Sequence, residues 1–448
     1  MDNPSFPGKD NKAFLQLYPV SGAERIEAID VLRGFALLGI LVINIVFFAL
    51  PQALYFNPPV AGGFTGLNLL AWKFSYIFFF QKAMALFSML FGAGLILMSD
   101  RAATAGRSLR GVYYRRIVWL LIFGLIHGYL LWYGDILFTY ALCGLLLYLF
   151  RRCSVRTLII LGVAVLLCGI LVQVASGYFN GQLRDEAARV QSILDAGKTI
   201  NPQQERVLAL WKQFETMFEA SPDEIAAEVK AYRGGYTKNL AFRIPVTVMM
   251  QTQALIFLVF WRALGLMLLG MGLMKLRIFS GERSLRFYSL LSIGGLGIGL
   301  PLAGYGAGSL MEHDFDFIYQ FSVGAHYNYL GAVLAALGYT GVVMIICKLG
   351  LLRRLTRRLA AVGRMALTNY LMQTVICTAI FYGFGLGLFG RIERLGLLGF
   401  VLGIWIFQVY FSTIWLKRFR FGPAEWLWRS LTYRRRQPMR IVQQEAQN

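Results

Sequence analysis

The sequence predicts an all-α, polytopic integral membrane protein of about ten transmembrane helices, with both termini cytoplasmic. Three observations carry this. Of the 448 residues, 57% are hydrophobic and only 15% charged, where a soluble domain carries roughly a quarter. Several apolar runs exceed 18 residues, about the length that spans a bilayer as a helix. The basic residues behind the net charge of +21 come in short clusters between those runs, which is the pattern of membrane topology and not of a nucleic-acid surface.

Taken in order, the apolar runs fall at 33–50, 72–98, 116–133, 136–150, 157–178, 246–274, 286–308, 328–348, 366–389 and 396–417. The fourth is short enough to be tilted or partly re-entrant. Connections alternate in charge. The first, 51–71, holds no Lys or Arg, and the next, 101–116, holds five. The turn Tyr133-Gly134-Asp135 has none, and Arg151, Arg152 and Arg156 follow. Four basic residues at 275–286 face an acidic turn, Glu312-His313-Asp314. Six at 348–364 and eight in the tail complete the series, with only the Arg391–Arg394 turn against it. An excess of Lys and Arg in alternate loops places those loops in the cytoplasm.

This order divides the chain into a polar tail (1–24), an N-terminal membrane domain of five helices (25–178), an outer loop (179–245), a C-terminal membrane domain of five helices (246–420) and an interfacial helix with a basic tail (421–448). The outer loop has nine basic and nine acidic residues, and Pro202 and Pro222 cut it into short amphipathic helices. It reads as a cap on the bundle or as a substrate-side lid. The tail segment Gly422-Pro423-Ala424-Glu425-Trp426-Leu427-Trp428-Arg429 puts proline at a helix start, followed by tryptophans and arginine, as in a helix lying at a membrane surface. The five cysteines share no spacing and indicate neither a disulfide framework nor a metal site. The N-terminus lacks the basic start and short apolar core of a cleavable signal peptide.

Polar residues inside apolar runs carry most of the functional information, because each costs a few kcal/mol at mid-bilayer unless it faces protein or water. Arg33 and Asn44 are eleven residues apart, about three helical turns, so they share one face roughly 16 Å apart along the axis. Arg25 and Asp30 lie at the same membrane surface as Arg33. Lys82 and Arg262 are cations within apolar runs. They give a positive cavity suited to phosphate or carboxylate, unless Lys82 snorkels and Arg262 binds a carbonyl or an acid. Asn369 and Gln373, four apart, share a face and serve a ligand or join two helices. His326 stands beside tyrosines near an outer interface, as a ligand contact or part of an aromatic belt. His127 is the one histidine within the bundle, a general base or a hydrogen-bonded core residue, and Asp135 can orient it if the chain folds back after the third span.

The set Arg25-x-x-x-Ile29-Asp30-Val31-Leu32-Arg33-Gly34 with Ile43-Asn44 resembles the opening of the YeiB-like family of bacterial membrane proteins. Leu86-Phe87-Ser88-Met89-Leu90-Phe91-Gly92, Gly124-Leu125-Ile126-His127 through Gly134-Asp135 and Ala366-Leu367-Thr368-Asn369-Tyr370 look like the same family. So does Gly422-Pro423-x-Glu425-Trp426, in its C-terminal domain of unknown function. The opening is also similar to that of the heparan-α-glucosaminide N-acetyltransferases and, more distantly, of acyltransferase family three. Those enzymes move an acyl group from cytoplasmic acyl-CoA to a hydroxyl or amine across the membrane. Acyltransferase family three has its presumed basic histidine where this chain has Asn44. The acetyltransferases share the asparagine but add a histidine in the first outer loop, which 51–71 lacks.

The expectation is therefore an acyltransferase of the bacterial inner membrane with no bound cofactor, using acyl-CoA as donor and a sugar or glycolipid as acceptor. His127, Asp135 and Asn44 would be catalytic. Arg25, Asp30, Arg33, Lys82, Arg262, Asn369, Gln373 and His326 would hold donor or substrate. Membrane lipids and a small molecule would be its partners, and no nucleic acid. The alternative is a transporter or lipid-handling protein that binds an anion in the same positive cavity, with glycine-rich 294–299 permitting helix movement. A receptor without chemistry is the third reading.

Overall fold

A computed structural model describes residues 26–218 and 220–441, so Arg25 and the polar tail lie outside the described residues. The described chain is helical, with one isolated bridge, Phe419 to Arg440, in place of any sheet. Helices α1 (Glu27–Ala49), α2 (Gly66–Phe78), α3 (Lys82–Thr104), α4 (Arg110–Ile126), α5 (Leu137–Leu147) and α6 (Val155–Asp195) form the first half. The intervening α7 (Pro202–Phe218), α8 (Pro222–Tyr232) and α9 (Tyr236–Gln251) lead to α10 (Phe260–Lys275), α11 (Leu285–Glu312), the single turn α12 (Phe317–Tyr319) and α13 (Ala325–Leu349). The chain then closes with α14 (Arg353–Arg364), α15 (Ala366–Phe381), α16 (Arg394–Trp415) and α17 (Pro423–Tyr433).

Among the described residues, 8 helices are long and apolar enough to cross a membrane, and Leu137–Phe150 and Ala366–Phe381 are shorter apolar helices at the expected fourth and ninth positions. The all-α, polytopic architecture is therefore present. Four local features differ from the expectation. The run 72–98 is not one helix: it breaks at Phe79–Gln81, where Gln81 takes a left-handed φ of 65°. The run 246–274 also breaks, at Thr252, and resumes through a π-helical turn at Leu255–Val259. Helix α6 overruns its apolar segment by some four turns, because no breaker intervenes before Gly197 at φ 74°. Finally, most of the basic connection 348–364 is the helix α14, whose Ala360, Ala361, Val362 and Gly363 are buried while most of its arginines face outward.

The two membrane halves interlock. Helix α10 packs on α3 and α6, and α1 packs on α14, α15 and α16. Small residues set the α3–α10 distance: a side chain at Gly92 would begin 2.0 Å from the Met267 carbonyl oxygen, and one at Gly270 1.9 Å from that of Met89. Without a hydrophobic driving force in lipid, such close backbone approach is what holds helices together. Leu67, Leu70, Phe74 and Phe78 of α2 and Ile160, Leu167 and Leu171 of α6 stay exposed, as lipid-facing residues do.

At the end opposite the basic segments, the loop 51–65 folds around Arg394. Its guanidinium donates to the carbonyls of Pro58 (2.8 Å), Ala61 (3.0 Å) and Gly63. Arg394 thus spends its charge on internal carbonyls.

Candidate functional site

His127 and Asp135 meet, and the chain folds back after α4 to bring them together. Helix α4 ends at Ile126 and continues as a π-helical turn, His127–Leu131, before Trp132 extends away. Single π turns inside helices are frequent at functional sites, because the extra residue re-aims side chains. Gly124 makes the return possible: a Cβ there would lie 2.4 Å from the backbone nitrogen of Phe138 and 3.0 Å from Asp135 Oδ2. Asp135 Oδ2 accepts the Phe138 N–H at 2.7 Å, and Oδ1 accepts from His127 Nδ1 at 2.8 Å, with both side chains 1% exposed. A carboxylate at Nδ1 assigns that nitrogen the proton and leaves Nε2 as acceptor in the neutral ring. Nε2 lies 2.8 Å from the Thr374 hydroxyl. A hydroxyl, an imidazole and a carboxylate in a line form the constellation of nucleophilic and general-base catalysis.

The outer loop covers this turn. Arg243 of α9, fully buried, donates to the carbonyls of Leu131 (2.6 Å) and Leu130 (3.4 Å), and the Thr247 hydroxyl donates to that of Gly128 (3.2 Å). These are carbonyls that the end of a helix leaves without partners. Tyr232 of α8 stacks on Phe389 at 4.3 Å, and Glu228 accepts the Gln52 N–H at 3.1 Å. Burial pushes the Glu228 carboxyl up to about 7, with that hydrogen bond opposing.

On the other side of His127 a cavity of about 270 Å³ runs toward the basic end. Its inner limit is Ile136, Tyr140 and Tyr370, and the Tyr370 ring lies 5.1 Å from that of His127. Its walls are apolar, with Leu37, Phe87, Leu90, Phe91 and Leu120 among them. Its mouth gathers Arg33, Arg101, Arg116, Arg364 and Arg429 around two acids, Asp30 and Glu425. Arg33 pairs with Asp30 at 2.8 Å, and Arg116 lies over the Trp428 ring at 3.7 Å. The Arg364 Nε is buried with no partner among the described residues. Glu425 closes the floor. It accepts from the backbone N–H of Leu367 (2.6 Å) and Thr368 (3.0 Å) and from the Thr368 hydroxyl, at the start of α15. Burial raises its pKa, and those hydrogen bonds oppose the rise.

The predicted residues divide accordingly. Asp30 and Arg33 line the cavity, and His127 and Asp135 lie beyond its inner end. Asn44 is half-buried, makes no side-chain hydrogen bond among the described residues and does not line the cavity. Lys82 and Arg262 do not join Arg33. The reason is the direction of α3, which reaches the basic end at Arg101, 19 residues and roughly 28 Å beyond Lys82. Asn369 and Gln373 sit between α15 and α16: the Asn369 amide donates to Ser412 (2.9 Å), and that of Gln373 to Gln408 (3.0 Å). His326 bonds the Phe321 carbonyl at 2.9 Å, away from the cavity.

Sequence reasoning missed Thr374, Tyr370, Arg116 and Arg364. Arg116 carried a usable signal. It precedes His127 by eleven residues, the same spacing that singled out Arg33 and Asn44, and so shares a helix face with it.

Residues 273–435 match the family model described as "Protein of unknown function (DUF418)". The "Uncharacterized protein YeiB" of Escherichia coli strain K12 is 34% identical over 92% of this chain and 97% of its own length. The chain belongs to the YeiB-like family. Another relative is the "Uncharacterized protein YxaH" of Bacillus subtilis strain 168, 30% identical over 94% of this chain and 98% of that protein. A third, from Bacillus acidopullulyticus, is 28% identical over 96% of this chain and 99% of its own. No solved structure matches the chain. The match to YeiB covers 92% of this chain, whereas the family model covers only residues 273–435, which hold α14, α15 and α17 of the cavity wall.

Proposed function

We propose that this YeiB-like protein is an acyltransferase of the bacterial cytoplasmic membrane. It would take an acyl group from an acyl-CoA-like donor entering at the basic end. The acceptor is a hydroxyl or amine of a sugar or glycolipid presented from the outer side. The observation that carries this reading is the cavity: an arginine-rich mouth, apolar walls, and an inner end against the ring that covers His127.

Each part answers to one part of such a donor. The arginines, Arg364 with its free Nε above all, bind phosphates as planar forks. The apolar walls hold an arm and acyl chain away from water. Tyr370 turns aside to bring the thioester to His127. The Thr374 hydroxyl marks where an acceptor hydroxyl sits, 2.8 Å from Nε2. His127 Nε2 removes the acceptor's proton as its oxygen bonds to the thioester carbon. Collapse of the tetrahedral intermediate breaks the carbon–sulfur bond, and the same proton passes to the departing thiolate. Asp135 holds the Nδ1 proton throughout and stabilises the imidazolium. Asn44 is left outside this scheme.

Labelled acyl-CoA and a bacterial glycolipid extract, given to proteoliposomes, test the reading. Wild type transfers label to the extract and His127→Ala does not. Full transfer by His127→Ala would remove the histidine from the mechanism. Donor-independent flux of an anion, with no transfer at all, would move the protein to the transporter class.

A further inference from the structure

Lys82 and Arg262 come together with Asn328 and Tyr329 of α13, in a second polar cluster apart from the arginine-lined cavity. Lys82 is fully buried and Arg262 3% exposed. Lys82 Nζ donates to the Tyr76 carbonyl at 2.9 Å and to Asn328 Oδ1. Arg262 Nη1 donates to the Tyr329 carbonyl at 3.0 Å, and its guanidinium lies 4.2 Å from the centre of that ring. Neither cation is paired with an acid among the described residues. Arg262 Nε and Nη2 are both buried, and neither has a hydrogen-bond partner among the described residues. Those two nitrogens form one edge of the guanidinium, the edge that takes two oxygens of one oxyanion in parallel.

Buried cations without a counter-charge are costly, and an anion joining these two would offset that cost. The surrounding backbone is irregular in all three helices that supply the cluster. Lys82 follows the left-handed Gln81, Arg262 follows the π turn Leu255–Val259, and Asn328 follows the π turn Gln320–Gly324. Ile256, Phe257 and Val323 of those turns are exposed on the apolar surface, so the cluster lies beneath a lipid-facing skin.

We infer that Arg262 and Lys82 form a binding site for a phosphate oxyanion, in the half of the membrane domain away from the basic end. Arg262 supplies the two-nitrogen fork and Lys82 the second charge, which together suit a phosphate monoester or free phosphate better than a singly charged carboxylate. This site stands independently of acyl transfer at His127.

The test is thermal unfolding of the purified full chain, titrated with inorganic phosphate and, separately, with micelles containing phosphatidic acid, against chloride at equal ionic strength. Wild type gains several degrees in Tm, and Arg262→Met and Lys82→Met each lose that response. A response to both ligands identifies a site open to free phosphate, and a response to phosphatidic acid alone identifies a lipid headgroup site. A wild type that responds to neither overturns the inference without any variant, as does an equal response in wild type and Arg262→Met.

Discussion

Glu228→Gln tests how the outer cap is fastened over the His127 turn. Glu228 is 8% exposed, and both of its oxygens lie within 3.2 Å of the Gln52 nitrogen. Burial moves its pKa from 4.5 to about 7. With the cap open, the carboxyl returns to water and to its ordinary value. Between those two pH values the closed form therefore holds a proton that the open form has released. Closure loses stability as pH rises through this window and levels off above it. A rise of about 2.5 pH units at 1.36 kcal/mol each gives roughly 3 kcal/mol, or about two orders of magnitude in the opening equilibrium. Hydrogen exchange of the α8 amides, corrected for intrinsic rates, reads this directly. Protection in wild type should fall between pH 5 and pH 7.5 and then level. Glu228→Gln keeps an acceptor for the Gln52 N–H but cannot ionise, and its corrected protection should be flat. The same pH trend in both proteins would refute the assignment.

Other expectations follow from single contacts. Asp135→Asn leaves one of two donors, His127 Nδ1 or the Phe138 N–H, facing an amide NH₂, and should lower acyl transfer about 10²- to 10⁴-fold with the donor KM little changed. An unaltered turnover number would show that the pair is structural. Arg364→Gln removes a half-buried guanidinium at the cavity mouth and should raise the donor KM about tenfold at constant kcat, measured by donor titration. Gly270→Leu drives a side chain into the Met89 carbonyl and should cost about 1–3 kcal/mol or more, seen as a lower Tm. Gly294→Ala, which meets nothing within 4 Å, is the control that should leave Tm unchanged.

Membrane helices were legible because their signal is compositional: twenty apolar residues in a row have few other uses. Their interruptions were not. Gln81 in a left-handed conformation and the π turns at His127, Leu255 and Gln320 arise where neighbouring helices supply partners for freed backbone groups, and no local residue pattern announces them. The same cause misplaced Lys82, which looked mid-span but opens α3 after a break. His127 and Asp135 were found because both are costly in an apolar setting, and their eight-residue separation bridges a single turn. Thr374 escaped notice since a threonine in an apolar run is cheap, and its pairing with His127 spans 247 residues. Asn369 and Gln373 stood out for the opposite reason, as polar groups whose hydrogen bonds join α15 to α16. Buried amides mark helix contacts as readily as ligand sites.

The most direct measurement is a structure of the protein with a non-hydrolysable acyl-CoA thioether. The expected density enters at Arg33, Arg116 and Arg364, fills the cavity between α1, α3 and α4, and brings its sulfur past a displaced Tyr370 to within contact of His127. An empty cavity at saturating ligand, or a donor bound elsewhere with Tyr370 still packed over His127, would contradict it.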